Sequence, residues 1–173
     1  MAYKNLKLLV CAALCGTVSL AGGETAPCIL VDDIGSLEAR MFAGAPDVRG
    51  LVQGEKSQTA ISGILAFDSS GNGYVASGSC IKKIDTAGNV WVIAGMPDLC
   101  GSSDGSPNRA TFGLAIDLVL VNDELIYVVD AANLTVRRLT LKDGFWFTET
   151  VAGVPGVNGH RDGPGHQALF TTP

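Results

Sequence analysis

Histidine is nearly absent from this chain, with two in 173 residues, and only 17% of residues are charged. His160 and His166 lie in one glycine-rich stretch, short of the three or four protein ligands a zinc site needs, and they read as solvated loop residues. No Gly-x-Ser-x-Gly elbow, phosphate-cradling glycine loop or Cys-x-x-Cys pair is present, so nothing in the order of Ser, His and Asp marks a nucleophile. The sequence therefore assigns no catalytic residue, no cofactor and no metal. Basic residues are also scarce, 12 against 17 acidic ones. That balance excludes a nucleic-acid partner, whose phosphates require clustered Lys and Arg.

Only one long apolar run exists, and it sits at the start. Lys4 and Lys7 lead into Leu8-Leu-Val-Cys-Ala-Ala-Leu-Cys15, and Ser19-Leu20-Ala21 follows with small residues. Basic, apolar and small-residue regions in that order predict a signal peptide over 1–22, cleaved after Ala21 or within the next two glycines. The run is short for the ~20 residues of a membrane helix, so no span is expected after cleavage. The mature chain, 23–173, is expected outside the cell. Losing Lys4 and Lys7 takes the basic count from 12 to 10 against 17 acids, a net charge of −7. Cys11 and Cys15 leave with the leader, and Cys28, Cys80 and Cys100 remain.

What the chain has in quantity is glycine, 22 residues, spread among short β-branched runs. Ala-Gly-x-Pro occurs three times, beginning Ala43-Gly44, Ala94-Gly95 and Ala152-Gly153. Further on in each copy comes Gly54, Gly105 or Gly163, preceded by Asp104 and Asp162 in the last two, and then Ile61, Phe112 or Phe170. Downstream, Tyr74-Val75 answers Tyr127-Val128, and Ile81-Lys-Lys-Ile84 answers Val136-Arg-Arg-Leu139. The repeat predicts four strands per copy: 64–68, 74–76, 81–85 and 90–94, then 114–121, 126–130, 136–141 and 147–152. The repeats span about 45–95 and 96–153, with a third opening at 154–173.

The second copy is the more regular. Tyr127-Val-Val-Asp130, a turn asparagine at Asn133 and Val136-Arg137-Arg138-Leu139 resemble the core of the NHL repeat, the blade of a family of β-propellers. The resemblance runs from about residue 28 to 173 and implies an all-β chain of four-stranded NHL-like blades. The first copy departs from it, with Ser77 in place of Asp130 and no turn asparagine. Two full blades with partial ones at each end fall short of the ~4–8 blades of a closed ring. Residues 28–32 and 39–43 read as the last two strands of an earlier blade. The chain is thus expected to be an incomplete propeller, a fragment or a unit that self-associates through its open end.

Individual residues carry further expectations. Asp130 and Arg137 suit a structural carboxylate–guanidinium pair, dissolved in the first copy where Lys82 can reach water. Asp104 and Asp162 suit capping of the short turns after them, with Gly105 and Gly163 relieving backbone strain, since calcium loops need more alternating oxygen ligands. Cys80 opens a third strand and Cys100 follows the fourth, which predicts a disulfide between them. Asn133-Leu-Thr135 is a glycosylation sequon, usable only if the amide points outward. The function that the resemblance implies is a secreted, non-catalytic scaffold for a protein or other macromolecular ligand. Two alternatives stand beside it. One is a piece of a lyase- or hydrolase-type propeller enzyme, such as the amidating lyases with their histidine ligands. The other is an extracellular sensor module of a larger protein.

Overall fold

The structure is a computed structural model that describes residues 64–173 and, ahead of them, the backbone of two short strands, β1 (Leu8–Cys11) and β2 (Cys28–Val31). These two pair antiparallel, Leu8 opposite Val31 and Cys11 opposite Cys28. The expected strand at 28–32 is therefore present, but its partner is the apolar run of the expected leader. Gly44, Gly54, Ile61 and the run 39–43 lie outside the described residues.

The rest is all-β. A first antiparallel sheet holds β3 (Leu65–Phe67), β4 (Gly73–Ser77), β5 (Cys80–Ile84) and β6 (Val90–Gly95) in chain order. A second holds β7 (Ala115–Asn122), β8 (Leu125–Asp130), β9 (Thr135–Lys142) and β10 (Phe145–Ala152), again in chain order. Every end lies within two residues of the sequence reading. The hairpins explain why. After β3 and after β5 the chain reads Asp-x-x-Gly-Asn, and each Asp carboxylate gathers the turn onto itself. Asp68 Oδ1 accepts from the Ser70 and Asn72 amides at 3.0 and 2.8 Å, and Asp85 Oδ1 accepts from those of Ala87 and Asn89 at 2.9 and 2.8 Å. Gly71 and Gly88 then take φ of 84° and 90°, where a side chain would strain the turn.

The sheets stack face to face, β3 and β4 against β7, and β6 against β10. Strand periodicity decides what lies between them. Tyr74, Ala76, Ile81 and Ala94 from the first sheet meet Leu118, Ile126, Val128, Leu139 and Trp146 from the second. Burying each large side chain stabilises by about 1.5–3 kcal/mol, so this layer is the main source of cohesion. Tyr74 and Trp146 meet edge to face, ring centres 5.9 Å apart. The other face of the first sheet carries a second cluster, Val75, Ile84 and Val90.

Lys82 belongs to that second face, and it overturns one expectation. It is fully buried, where the sequence reading let it reach water. Period two leaves no choice: Lys82 pairs with Val75 and points with Ile84, both buried. Burial pulls its ammonium pKa below the ordinary lysine value.

The expected disulfide is also corrected. Cys80 and Cys100 are both free thiols, the first buried and the second exposed. Register is the cause. Cys80 stands opposite Gly95, and the Met96–Leu99 turn then carries the chain away, so that Cys100 pairs with Phe112 instead. Burial raises the Cys80 pKa to about 11, and its Sγ rests on the Ser77 carbonyl at 3.6 Å. Alkylation of the native protein at pH 8, read by peptide mass spectrometry, should therefore label Cys100 within minutes. Cys80 should be modified only after unfolding; equal labelling of both would contradict this placement.

Candidate functional site

Charged chemistry concentrates where the loop 96–114, running from the first sheet to the second, crosses the β8–β9 hairpin. Arg137 lies on β9 facing inward and is fully buried. Its neighbour Arg138 faces outward, as alternation requires, and pairs with Glu149 across the strand. The Arg137 guanidinium makes four bonds with its two terminal nitrogens. Nη1 donates to the Thr111 carbonyl at 3.0 Å and to Asp130 Oδ2 at 3.3 Å. Nη2 donates to the Ser103 carbonyl at 2.8 Å and to Asp104 Oδ1 at 2.7 Å. One face of the guanidinium lies 4.9 Å from the centre of the Phe112 ring.

Asp130, also fully buried, is equally occupied. It accepts from the Gly113 amide at 3.1 Å, the Leu114 amide at 3.0 Å and Asn133 Nδ2 at 2.7 Å, besides Arg137. Asn133 Nδ2 also donates to the Gly101 carbonyl at 2.7 Å. The nitrogen that a glycan would need is thus turned inward and spent on two bonds, so the outward amide that glycosylation requires is not found. Asp130, Asn133 and Arg137 fasten the incoming loop to its sheet. Both Asp130 oxygens and both terminal nitrogens of Arg137 are bonded within the protein, while Arg137 Nε is buried without a hydrogen-bond partner among the described residues.

Asp104 departs from its expected role. It does not cap the turn at 106–110, which closes through its own backbone, Ala110 N donating to Ser106 O at 2.9 Å. Gly105 instead pairs with Thr148 on the free edge of β10, both bonds 2.8 Å, at a φ of 129°. That pairing swings the Asp104 carboxylate onto Arg137 and onto Thr150 Oγ1 at 3.1 Å. Its side chain remains 46% exposed.

The exposed side of Asp104 opens into a cleft of about 690 Å³ beyond the β10 edge. Ser106, Asn108 and Arg109 form one wall, and Met96 and Phe147 an apolar one. Phe147 is 39% exposed. Sequence reading missed this cleft, because Phe147 comes from the last strand and its opposite wall from a loop some forty residues earlier. Phe112 was visible in the repeat only as an apolar position.

His160 and His166 are exposed in the last loop, His166 Nε2 lying 3.2 Å from Gln167 Nε2. Asp162 is exposed there as well, and Gly163 takes a φ of 150°. Among the described residues, no three His, Cys, Asp or Glu side chains gather as a metal-binding group.

No family model and no curated protein matches the chain. Solved structures do. One, a structural genomics protein of unknown function from Bacteroides thetaiotaomicron VPI-5482, superimposes with a TM-score of 0.66 at 22% identity over 84% of this chain. Another, an auxiliary nutrient binding protein from the same organism, superimposes with a TM-score of 0.57 at 18% identity over 83% of this chain. The chain spans 38% of the length of the first and 35% of the second. At such identities the likeness is one of fold.

Proposed function

We propose that this protein is a non-catalytic binding scaffold of NHL-like propeller build, its two sheets being consecutive blades, and that it takes a macromolecular ligand at the cleft beside Asp104. One observation carries the reading. Asp104 is fixed from behind by a buried arginine and Thr150, yet keeps 46% of its side chain open to a cleft with both polar and aromatic walls. A rigid floor with a few converging polar groups and an apolar wall is how binding sites are built on stable scaffolds. An auxiliary nutrient binding protein among the similar folds accords with a binding role and says nothing of the ligand.

The test is retention on immobilised peptides and oligosaccharides. A class that the wild type binds should be lost by at least tenfold in the Asn108→Ala, Phe147→Ala double variant, both side chains lying on the cleft and outside the core. Unchanged retention by a folded double variant would move the site elsewhere.

Export belongs to the same proposal, supported by the basic, apolar and small-residue order of residues 1–22. N-terminal sequencing of material recovered outside the cell should begin between Gly22 and Glu24. Recovery with Met1 intact would count against it.

A further inference from the structure

Arg137 fastens the second sheet to the loop that precedes it, and the loop that follows that sheet is built the same way without its fastener. We propose that the uncovered face of the second sheet, together with the loop 154–172, is the docking site for one more four-stranded sheet of this repeat, whose buried arginine seats on Asp162. The inference rests on the repeat reading above and names the partner that such a surface fits.

The two loops share a set of backbone bonds at a shift of 58 residues. Gly101 N donates to Phe112 O at 3.2 Å, and Gly159 N to Phe170 O at 3.2 Å. Thr111 N donates to Ser103 O at 3.0 Å, and Leu169 N to Arg161 O at 3.0 Å. Ala110 N meets Ser106 O, and Ala168 N meets Pro164 O, both at 2.9 Å. Gly95 and Gly153 enter the loops at φ of 90° and 88°, each against the ring of Phe112 or Phe170. Everything Arg137 and Asp130 hold in the first loop therefore has a counterpart in the second. The Arg161 and Leu169 carbonyls replace those of Ser103 and Thr111, Asp162 replaces Asp104, and the Thr171 and Thr172 amides replace those of Gly113 and Leu114. Asp162 makes no hydrogen bond or ion pair among the described residues, and Phe170 is only half-buried where Phe112 is fully buried.

The sheet face agrees. Tyr74, Ala76 and Ile81 are at most 2% exposed because the second sheet covers them. Their counterparts Tyr127, Val129 and Val136 are partly exposed, and Val119, opposite Tyr127, is 56% exposed. The interface between the sheets thus has an equivalent on the opposite face of the second sheet, which no other described strand covers. A second copy of this chain does not fit it in the same way, because its Arg137 is already bound to its own Asp104. The occupant is a sheet whose arginine has no loop of its own. Thr171 adds a constraint, standing where Gly113 stands; a Cβ at Gly113 would lie 2.9 Å from Ala132 Cβ and 3.1 Å from Asn133 Nδ2.

The experiment extends the whole chain with a second copy of residues 115–173 in place of Pro173, with Thr171→Gly to clear the turn. Urea unfolding is then compared with and without the extension. Asp162→Ala should leave the midpoint of the original chain unchanged and lower that of the extended chain. The loss should vanish when the added copy of Arg137 is itself changed to Leu. Equal effects of Asp162→Ala in both chains, or no coupling to the added arginine, would overturn the proposal. So would a dimer of the original chain by light scattering that buries the same face and ignores Asp162→Ala. If the Leu variant fails to fold, the coupling is read from Asp162→Asn against Arg→Lys in the added copy. Ligand retention by the cleft is measured on the original chain, so either result can fail alone.

Discussion

Arg137→Ala should lower the free energy of unfolding by about 3–5 kcal/mol, the cost of breaking a buried ion pair by removing one partner. The size follows from what is left behind. Asp130 is fully buried and would keep its amide and Asn133 donors while losing its ion-pair partner among the described residues. The Ser103 and Thr111 carbonyls would lose their guanidinium donors at 2.8 and 3.0 Å, and the Phe112 ring would face a cavity. Arg137→Lys should cost less, because the first sheet already carries a buried lysine at the equivalent position, Lys82. It should still cost something, since one ammonium cannot replace a fork that bonds Asp104, Asp130 and two carbonyls together. The double variant Arg137→Met, Asp130→Asn should recover part of the loss, because no uncompensated charge remains. Equilibrium urea unfolding checks all three. A loss below about 1 kcal/mol for Arg137→Ala would place the pair among weak surface ion pairs and contradict its burial.

The same region shows how far the sequence could be read. Strand positions were legible because period-two alternation and the Asp-x-x-Gly-Asn turns are local signals, complete within a dozen residues. Asp130 and Arg137 could be paired for a related reason: they sit on the two strands of one hairpin. What escaped was set by contacts across the repeat. Asp104 looked like a cap because its only visible neighbours were the residues of its own turn; its partners Arg137 and Thr150 lie 33 and 46 positions away. Lys82 was read by side-chain type, which says solvent, whereas its strand parity beside Val75 and Ile84 says interior. The cysteines were matched by strand order alone. The register that puts Gly95 opposite Cys80, and the turn that takes Cys100 to Phe112, were invisible without the fold.

That register also explains why the Ala-Gly-x-Pro glycine recurs, and it yields the second large effect. Gly95→Ala should destabilise by about 3 kcal/mol, combining the cost of a left-handed φ with that of overpacking. At Gly95 a Cβ would fall 2.4 Å from the Ser79 carbonyl oxygen, 2.8 Å from Cys80 Cα and 3.0 Å from Phe112 Cδ2, with φ at 90°. The first two are backbone of the adjoining strand, so the neighbour cannot rotate away, and the β5–β6 pairing has to open. Gly153 repeats the arrangement, its Cβ meeting Leu134 O at 2.4 Å and Thr135 Cα at 3.0 Å, so Gly153→Ala should behave alike. Gly78 separates the two causes. It has a φ of 62° but nothing within 4 Å of an added Cβ, so Gly78→Ala carries the dihedral cost alone, about 1 kcal/mol. Urea midpoints of the three variants decide the matter. If Gly95→Ala and Gly78→Ala lose stability equally, the close approach to Ser79 is not what keeps a glycine at the start of each loop. The expected order puts Gly95 and Gly153 together, well below Gly78. That order would assign the recurrence of Ala-Gly-x-Pro to contact between the end of one strand and the backbone of the strand beside it.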